Sequence, residues 1–308
     1  MTTALITHSD CLKHRTPDGH PEQIARLSHV LDALEGKTLE RFEAPLGTQD
    51  DVRLVHPQAH IEKIRAAEPG EGIAQLDADT WMSPGSYDAA MRGVGGAVLG
   101  ADLVLGGKVQ NAFVATRPPG HHAETQRAMG FCLFGTAAIA TRHALERHGL
   151  TRVAVVDFDV HHGNGTQDLL WSEPRAYFVS SHQFPLWPGT GKPDERGAHD
   201  NVLNVPLDPI SDGGAMRQAY EETVFPALEE FSPELLILSA GFDAHQDDPL
   251  AELRWTEDDF TWLTGRLCDL ADNHCKGRVL SCLEGGYNLD ALSRSAAAHV
   301  DVLIARGG

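Results

Sequence analysis

The sequence predicts an α/β fold: a single doubly wound, mostly parallel sheet with helices on both faces, formed by residues 1–308 as one domain. Three observations carry this expectation. Short apolar or β-branched runs recur between longer helical patterns, which is the rhythm of strand–helix–strand units. Several of these runs are continuously apolar rather than alternating, as strands covered on both faces are. No internal repeat, low-complexity stretch or linker divides the chain, and Gly and Pro gather only in short turns such as Pro69-Gly-Glu-Gly72.

Strands are expected at 4–7, 112–116, 153–158, 177–180, 202–205, 235–239 and 279–283. Between them lie helical patterns at 86–105, 135–147, 213–230 and 256–273. The first is rich in Ala and Leu and follows a Ser83-Pro-Gly start signal. The last opens Thr256-Glu-Asp-Asp, an N-cap followed by acidic residues in the first turn.

Composition narrows the function classes. Lys and Arg number 25 against 44 Asp and Glu, a formal charge of −19. Such a surface repels phosphate backbones, and no run of Lys and Arg offsets it, so nucleic acid is not an expected partner. The five cysteines (Cys11, Cys132, Cys268, Cys275 and Cys282) are odd in number and form no CxxC pair. Reduced, buried thiols are expected rather than a disulfide framework or a Cys-rich zinc site. The segment from Met1 to Asp10 lacks a charged n-region and a long apolar h-region, and no apolar stretch approaches the ~18 residues of a spanning helix. The expectation is a soluble cytoplasmic protein with no membrane partner. Oligomeric state stays open, a homo-oligomer included.

The chemistry gathers at the carboxyl ends of four expected strands, where ligands bind in open α/β sheets. The run at 112–116 leads into Arg117-Pro-Pro-Gly-His-His122, and the run at 153–158 into Asp159-Val-His-His-Gly-Asn-Gly165. The runs at 235–239 and 279–283 lead into Ala240-Gly-Phe-Asp243 and Glu284-Gly-Gly-Tyr287. Asp157, Asp159 and His161 alternate with Phe158 and Val160, so on a continuing strand the three polar residues share one side. Asp159, His161 and Asp243 then supply three zinc ligands and leave a fourth position for water, the mark of a catalytic site. A lone Asp-x-His motif matches freely; the strand end at Asp243 and the adjacent His pair give it weight. His121 and His122, which alone would read as a loop pair bonded to backbone, fit the acid and base that amide hydrolysis needs. Tyr287, after two glycines, is placed to donate a hydrogen bond to a tetrahedral oxyanion.

Taken together, these segments resemble the histone deacetylase family. The matching motifs are Arg117-Pro-Pro-Gly-His-His-Ala123, Gly130-Phe131-Cys132, Asp157-Phe-Asp-Val-His-His-Gly-Asn-Gly-Thr-Gln167, Pro188-Gly-Thr-Gly191, Ala240-Gly-Phe-Asp243 and Glu284-Gly-Gly-Tyr-Asn288. They stand in family order from about His20 to Asn288, and the forms look like the class II branch and its bacterial relatives, including acetylpolyamine amidohydrolases. The resemblance implies an arginase/deacetylase-like fold and a zinc-dependent deacetylase acting on acetyl-lysine or another acetylated amine. It implies one Zn²⁺ on Asp159, His161 and Asp243, with His121 and His122 as the acid–base pair and His122 favoured as proton carrier. Tyr287 polarises the acetyl carbonyl. Asp157 orients His121 and joins the Ser180 hydroxyl and the carbonyls of Asp159 and His161 around a structural K⁺. Gly130, Phe131 and Trp187 line a narrow acyl-lysine tunnel. Asn164 replaces an Asp of some members as the partner of His122. Leu250 sits where an acidic gatekeeper would favour acetylated polyamines, so an acetyl-lysine or neutral amide is favoured while an acetylpolyamine stays open. Arginases share the fold, but their two-manganese site needs a carboxylate where this chain has Gly163, and Asp243-Ala-His245 replaces an Asp-x-Asp. A non-catalytic acyl-lysine-binding module would have lost a base or a ligand, and none is lost.

Overall fold

The computed structural model describes residues 2–307. Among the described residues ten strands occur in chain order: β1 (Thr3–Thr7), β2 (Glu40–Glu43), β3 (Ala74–Gln75), β4 (Trp81–Met82), β5 (Asn111–Val114), β6 (Val153–Asp157), β7 (Ala176–Gln183), β8 (Val202–Leu207), β9 (Leu235–Ala240) and β10 (Val279–Leu283). Eight form one sheet in the order β2-β1-β5-β10-β9-β6-β7-β8, and every pairing in it is parallel. The expected doubly wound sheet is present. β3 and β4 form a separate antiparallel pair.

The central strands β5, β6, β9 and β10 are buried at every residue, which is why their sequences are unbroken apolar runs. Their side chains nevertheless divide between two layers by simple alternation. Ala154 and Val156 join Leu236, Leu238 and Phe113 under the helices Ile24–Ala33, Glu257–His274 and Leu289–Gly307. Val153 and Val155 join Leu235, Ile237 and Val114 under Ser86–Leu105 and Thr136–Arg147. The helix Ser86–Leu105 lies close to the sheet because Gly100 has no side chain: a Cβ there would overlap Leu280 Cδ1 on β10.

Two differences from the sequence expectation have physical causes. The edge strand β2 reads Glu-Arg-Phe-Glu and alternates half-buried with exposed, so it carries no apolar run. The helix expected over 213–230 is three pieces, Gly213–Ala219, a π turn at Tyr220–Val224, and Phe225–Phe231. The Phe225 N–H reaches back to the Tyr220 carbonyl. Pro226 has no N–H to continue the α ladder, and the wider turn absorbs the gap. All five cysteines are buried and free, as expected. Among the described residues no helix is long and apolar enough to cross a membrane.

The four strands whose ends carry the chemistry are scattered over the sequence but adjacent in space, as β5-β10-β9-β6. Their parallel direction delivers all four carboxyl ends to one rim.

Candidate active site

β6 ends at Asp157, so Asp159 and His161 lie in the loop beyond it rather than on a continuing strand. This corrects the strand-alternation argument. What brings the three residues together is a pair of successive side-chain turns. Asp157 Oδ1 accepts the Asp159 N–H at 3.1 Å, and Asp159 Oδ1 accepts the His161 N–H at 2.9 Å. Short carboxylates bonding the backbone two residues on are the usual way to fold such a loop. Asp243, just past β9, closes it from the neighbouring strand by accepting the Val160 N–H on Oδ1 at 2.8 Å.

Asp159, His161 and Asp243 are the fully buried group among the described residues that can hold a metal ion, their donor atoms lying within 4.8 Å of one another. His161 Nδ1 is 3.2 Å from Asp159 Oδ1 and 3.1 Å from Asp243 Oδ2. Gly241 and Gly285 wall the cradle, since a Cβ on either would overlap these carboxylate oxygens. The charge balance fits a divalent cation: two buried carboxylates share one imidazole. Burial and the charge of Asp159 push Asp243 up to about 7. Burial opposes ionisation of His161, but the two carboxylates outweigh it and carry the ring up to about 10.

Among the described residues, the positions where a two-manganese site would need further carboxylates do not supply them. A Cβ at Gly163 would overlap Asp157 Oδ2, leaving no room for a further carboxylate, and His245 turns away so that its Nε2 lies 3.5 Å from Glu257. A second group, Asp102, His143 and His148, lies elsewhere and is partly exposed. Its Asp102 Oδ1 faces both Nε2 atoms at 2.7 Å, but His143 Nδ1 is buried without a partner. A metal on His143 Nε2 would strand a buried N–H there.

The two adjacent histidines sit 3.9 Å apart between ring centroids and differ in their surroundings. His121 Nδ1 faces Asp157 Oδ2 at 2.9 Å, and its Nε2 is 3.7 Å from Asp159 Oδ2. Burial disfavours its charge, but Asp159 and Asp157 outweigh burial and hold the ring well above its ordinary range. His122 Nδ1 faces the neutral Asn164 Oδ1 at 2.7 Å. Burial, then the neighbouring His121 and His161, holds this ring well below its ordinary range. The surroundings therefore draw the two rings in opposite directions, His121 toward its charged form and His122 toward its neutral one.

A cavity of about 190 Å³ opens over these groups, with His122, His161 and Tyr287 at its polar end and Gly130, Phe131, Trp187 and Leu250 among its walls. Trp187 is 42% exposed, which puts it at the mouth. Gly130 and Phe131 both have positive φ, 55° and 69°, and are held there by the Asp79 and Thr80 side chains accepting their N–H groups at 3.1 and 3.0 Å. Ser180 pairs with Asp157 across β6 and β7, and its hydroxyl meets His182 Nδ1 at 3.0 Å.

Several supporting residues were not visible as such in the sequence. Arg117 is fully buried and forms a bidentate pair with Glu22, both contacts at 2.6 Å. Glu22 also binds Arg26, which donates to the carbonyls of Glu284 and Gly286 at 2.6 Å and lies 4.8 Å over the Tyr287 ring. Burial raises the Tyr287 hydroxyl well above its ordinary range against the opposing charge of Arg26, so it is a proton donor. Glu284 accepts the N–H groups of Gly120 and His121 at 2.7 and 3.1 Å. Arg117 and Glu284 lie inside conspicuous motifs, but nothing in the spacing separates holding a loop from touching a ligand. The Glu22–Arg26 spacing of four is an ordinary helical ion-pair pattern.

The chain matches known proteins over nearly its whole length. The family model for the histone deacetylase domain matches residues 20–303. "Uncharacterized protein slr0245" of Synechocystis sp. is 41% identical over 98% of this chain and 99% of its own length. A "Histone deacetylase-like amidohydrolase" of Pseudomonas aeruginosa is 41% identical over 87% of this chain and 72% of its own, and a "Probable deacetylase" of Archaeoglobus fulgidus is 35% identical over 94% and 82%. The solved HDA15 HD domain superposes with a TM-score of 0.94 at 33% identity, covering 99% of this chain and 88% of that one. With this match across nearly its whole length, the chain belongs to the histone deacetylase family.

Proposed function

We propose that this chain is a zinc-dependent amidohydrolase that removes an acetyl or other acyl group from a linear amide such as acetyl-lysine. The observation that carries the reading is convergence on one cavity: the buried donors Asp159, His161 and Asp243 stand beside His122 and Tyr287 at its polar end. Asp159, Asp243 and His161 through Nδ1 would hold the ion, three protein ligands being the pattern of catalytic zinc sites. When bound, the ion supplies an acidified water and polarises the acyl oxygen.

The remaining work falls to the protein. His122, neutral and tied through Nδ1 to Asn164, accepts a proton on its other nitrogen. His121, tied through Nδ1 to Asp157, stands beside it as the acid for the leaving amine. The Tyr287 hydroxyl donates to the oxyanion as the carbonyl carbon becomes tetrahedral, and Arg26 over its ring adds positive potential there. Phe131 and Trp187 flank the aliphatic stem, and Gly130 leaves room for it. A structural K⁺ belongs to the same reading, with Asp157, Ser180 and the carbonyls of Asp159 and His161 as its oxygen shell.

Leu250 at the cavity wall favours a neutral amide such as acetyl-lysine. An acetylpolyamine is the second reading, favoured by the formal charge of −19, which attracts polycations. The test is kcat/KM of the zinc-loaded enzyme on acetyl-lysine peptides, acetylpolyamines and anilides, with and without a chelator. Hydrolysis that a chelator abolishes supports the reading. No hydrolysis of any amide in the panel contradicts it.

A further inference from the structure

Glu124 lines no part of the cavity, yet it governs the partner of His122. Its N–H donates to the Arg127 carbonyl at 2.9 Å, closing a tight turn just after the His pair. Its Oε1 accepts from Asn164 Nδ2 at 2.8 Å, while Asn164 Oδ1 stands 2.7 Å from His122 Nδ1. The next residue, Thr125, donates to Asp168 Oδ2 from its N–H at 2.7 Å and its hydroxyl at 2.6 Å. Asp168 lies one turn beyond Asn164 on the helix Asn164–Leu170, so the Glu124 turn is fastened to that helix at two successive turns. The Glu124–Asn164 contact is thereby held in register.

The hydrogen-bonding inventory fixes the direction of each bond. A carboxylate oxygen accepts, so Asn164 turns its NH₂ toward Glu124. Its Oδ1, an acceptor only, then faces His122, whose Nδ1 must carry the proton. A neutral imidazole has one N–H, so Nε2 keeps a free lone pair. Met129 Sδ, 3.4 Å from the same Asn164 nitrogen, is too weak an acceptor to fix the amide alone. Without Glu124 the amide can turn over, present NH₂ to Nδ1, and select the tautomer with its proton on Nε2. That tautomer cannot accept a proton at Nε2.

We propose that Glu124 is a positioning residue that sets the tautomer of His122 through Asn164. A neutral amide partner then orients the base as a carboxylate would, without adding a charge beside the buried carboxylates. The catalytic consequence rests on the function proposed above; the tautomer itself does not.

The experiment compares wild type, Glu124→Ala and Glu124→Gln as zinc-loaded, ¹⁵N-histidine-labelled proteins, by NMR without substrate and by kinetics on an acetyl-lysine peptide. Wild type is expected to show the Nδ1–H pattern for His122. Glu124→Ala should gain the Nε2–H pattern and lose roughly tenfold in kcat, a part of what a general base contributes, with KM within about twofold. Glu124→Gln keeps an oxygen that can accept from Asn164, and should retain the Nδ1–H pattern with kcat within about threefold of wild type. Should Glu124→Ala not fold, Glu124→Met fills similar volume with only a weak acceptor and serves in its place. An unchanged Nδ1–H pattern in the Ala or Met variant overturns the proposal, as does a Gln variant that shifts tautomer as far as Ala. The expected ¹⁵N patterns in a protein that hydrolyses no amide would sink the proposed function and leave this inference standing.

Discussion

The Tyr287 N–H donates to Asp248 Oδ2 at 2.7 Å, and Oδ1 of the same buried carboxylate accepts the Leu250 N–H at 3.0 Å. One side chain thus ties two cavity-lining residues, one on the wall and one at the polar end. Removing the Tyr287 hydroxyl and removing its anchor should therefore be separable. Tyr287→Phe is expected to bind metal and melt like wild type but lose roughly 10²–10³ in kcat, the worth of one oxyanion donor. Asp248→Ala should lose kcat and also melt earlier, because it strands buried N–H groups at about 1–3 kcal/mol each. Steady-state kinetics with metal content and thermal melts distinguish the two, and full activity in folded, metal-loaded Tyr287→Phe removes the hydroxyl from the mechanism.

Gly130 should tolerate no side chain. A Cβ there would overlap His122 Cδ2 and come within 2.6 Å of the Trp187 ring, at a φ of 55° that L side chains rarely adopt. Gly130→Ala is expected to fold, since the position is on a loop, but to lose at least tenfold in kcat/KM, about 1.4 kcal/mol in transition-state binding. Equal activity on acetyl-lysine peptides in the Ala variant would mean that the cavity is not the substrate path.

Leu250 gives a charge test. A carboxylate at this wall would attract a second ammonium by about 1 kcal/mol where water is present, and more where it is excluded. Leu250→Glu is expected to shift kcat/KM from acetyl-lysine toward acetylated polyamines, with a shift that shrinks as salt rises. The four enzyme–substrate combinations at low and moderate ionic strength check it. A wild type that already prefers polyamines strongly would rule out Leu250 as gatekeeper.

Acid should destabilise the fold through histidines buried neutral. Burial brings His299 down from its ordinary 6.5 to about 3, its ring held between Thr264 Oγ1 at 2.7 Å and Ser281 Oγ at 2.9 Å. Burial and the stacked His60 bring His56 down to about 3 as well. Below 6.5 the unfolded chain binds these protons and the folded one does not, so stability falls as pH falls from 6.5 toward 3. Each ring costs on the order of 2 kcal/mol by pH 5. Urea midpoints between pH 7.5 and 5 should fall for wild type and fall less steeply for His299→Gln. Identical slopes in the two proteins would contradict this account.

Much of this architecture was legible in the sequence because burial leaves a mark. The unbroken runs of β5, β6, β9 and β10 follow from cover on both faces, and the polar residues after them follow from where such sheets bind ligands. Asp159, His161 and Asp243 could be grouped from those strand ends, but not for the reason first given. Their loop is shaped by side-chain-to-backbone bonds from Asp157 and Asp159, which a two-residue alternation imitates. Glu22, Arg26, Asp248 and Glu124 were silent, since each acts by holding backbone or another side chain. That role depends on partners up to 260 residues distant, as in Arg26 to Gly286. β2 was silent because a charged edge strand has no apolar period.

The central claim is amide hydrolysis at a single-metal site, and a zinc titration tests it most directly. Protein stripped of metal is titrated with zinc while hydrolysis of an acetyl-lysine peptide is followed. The account predicts activity that rises linearly and saturates at about one zinc per chain, the stoichiometry of one three-ligand site, and no such rise in Asp243→Ala. Saturation at two metals per chain with manganese-dependent release of urea from arginine, or full activity without metal, would contradict it.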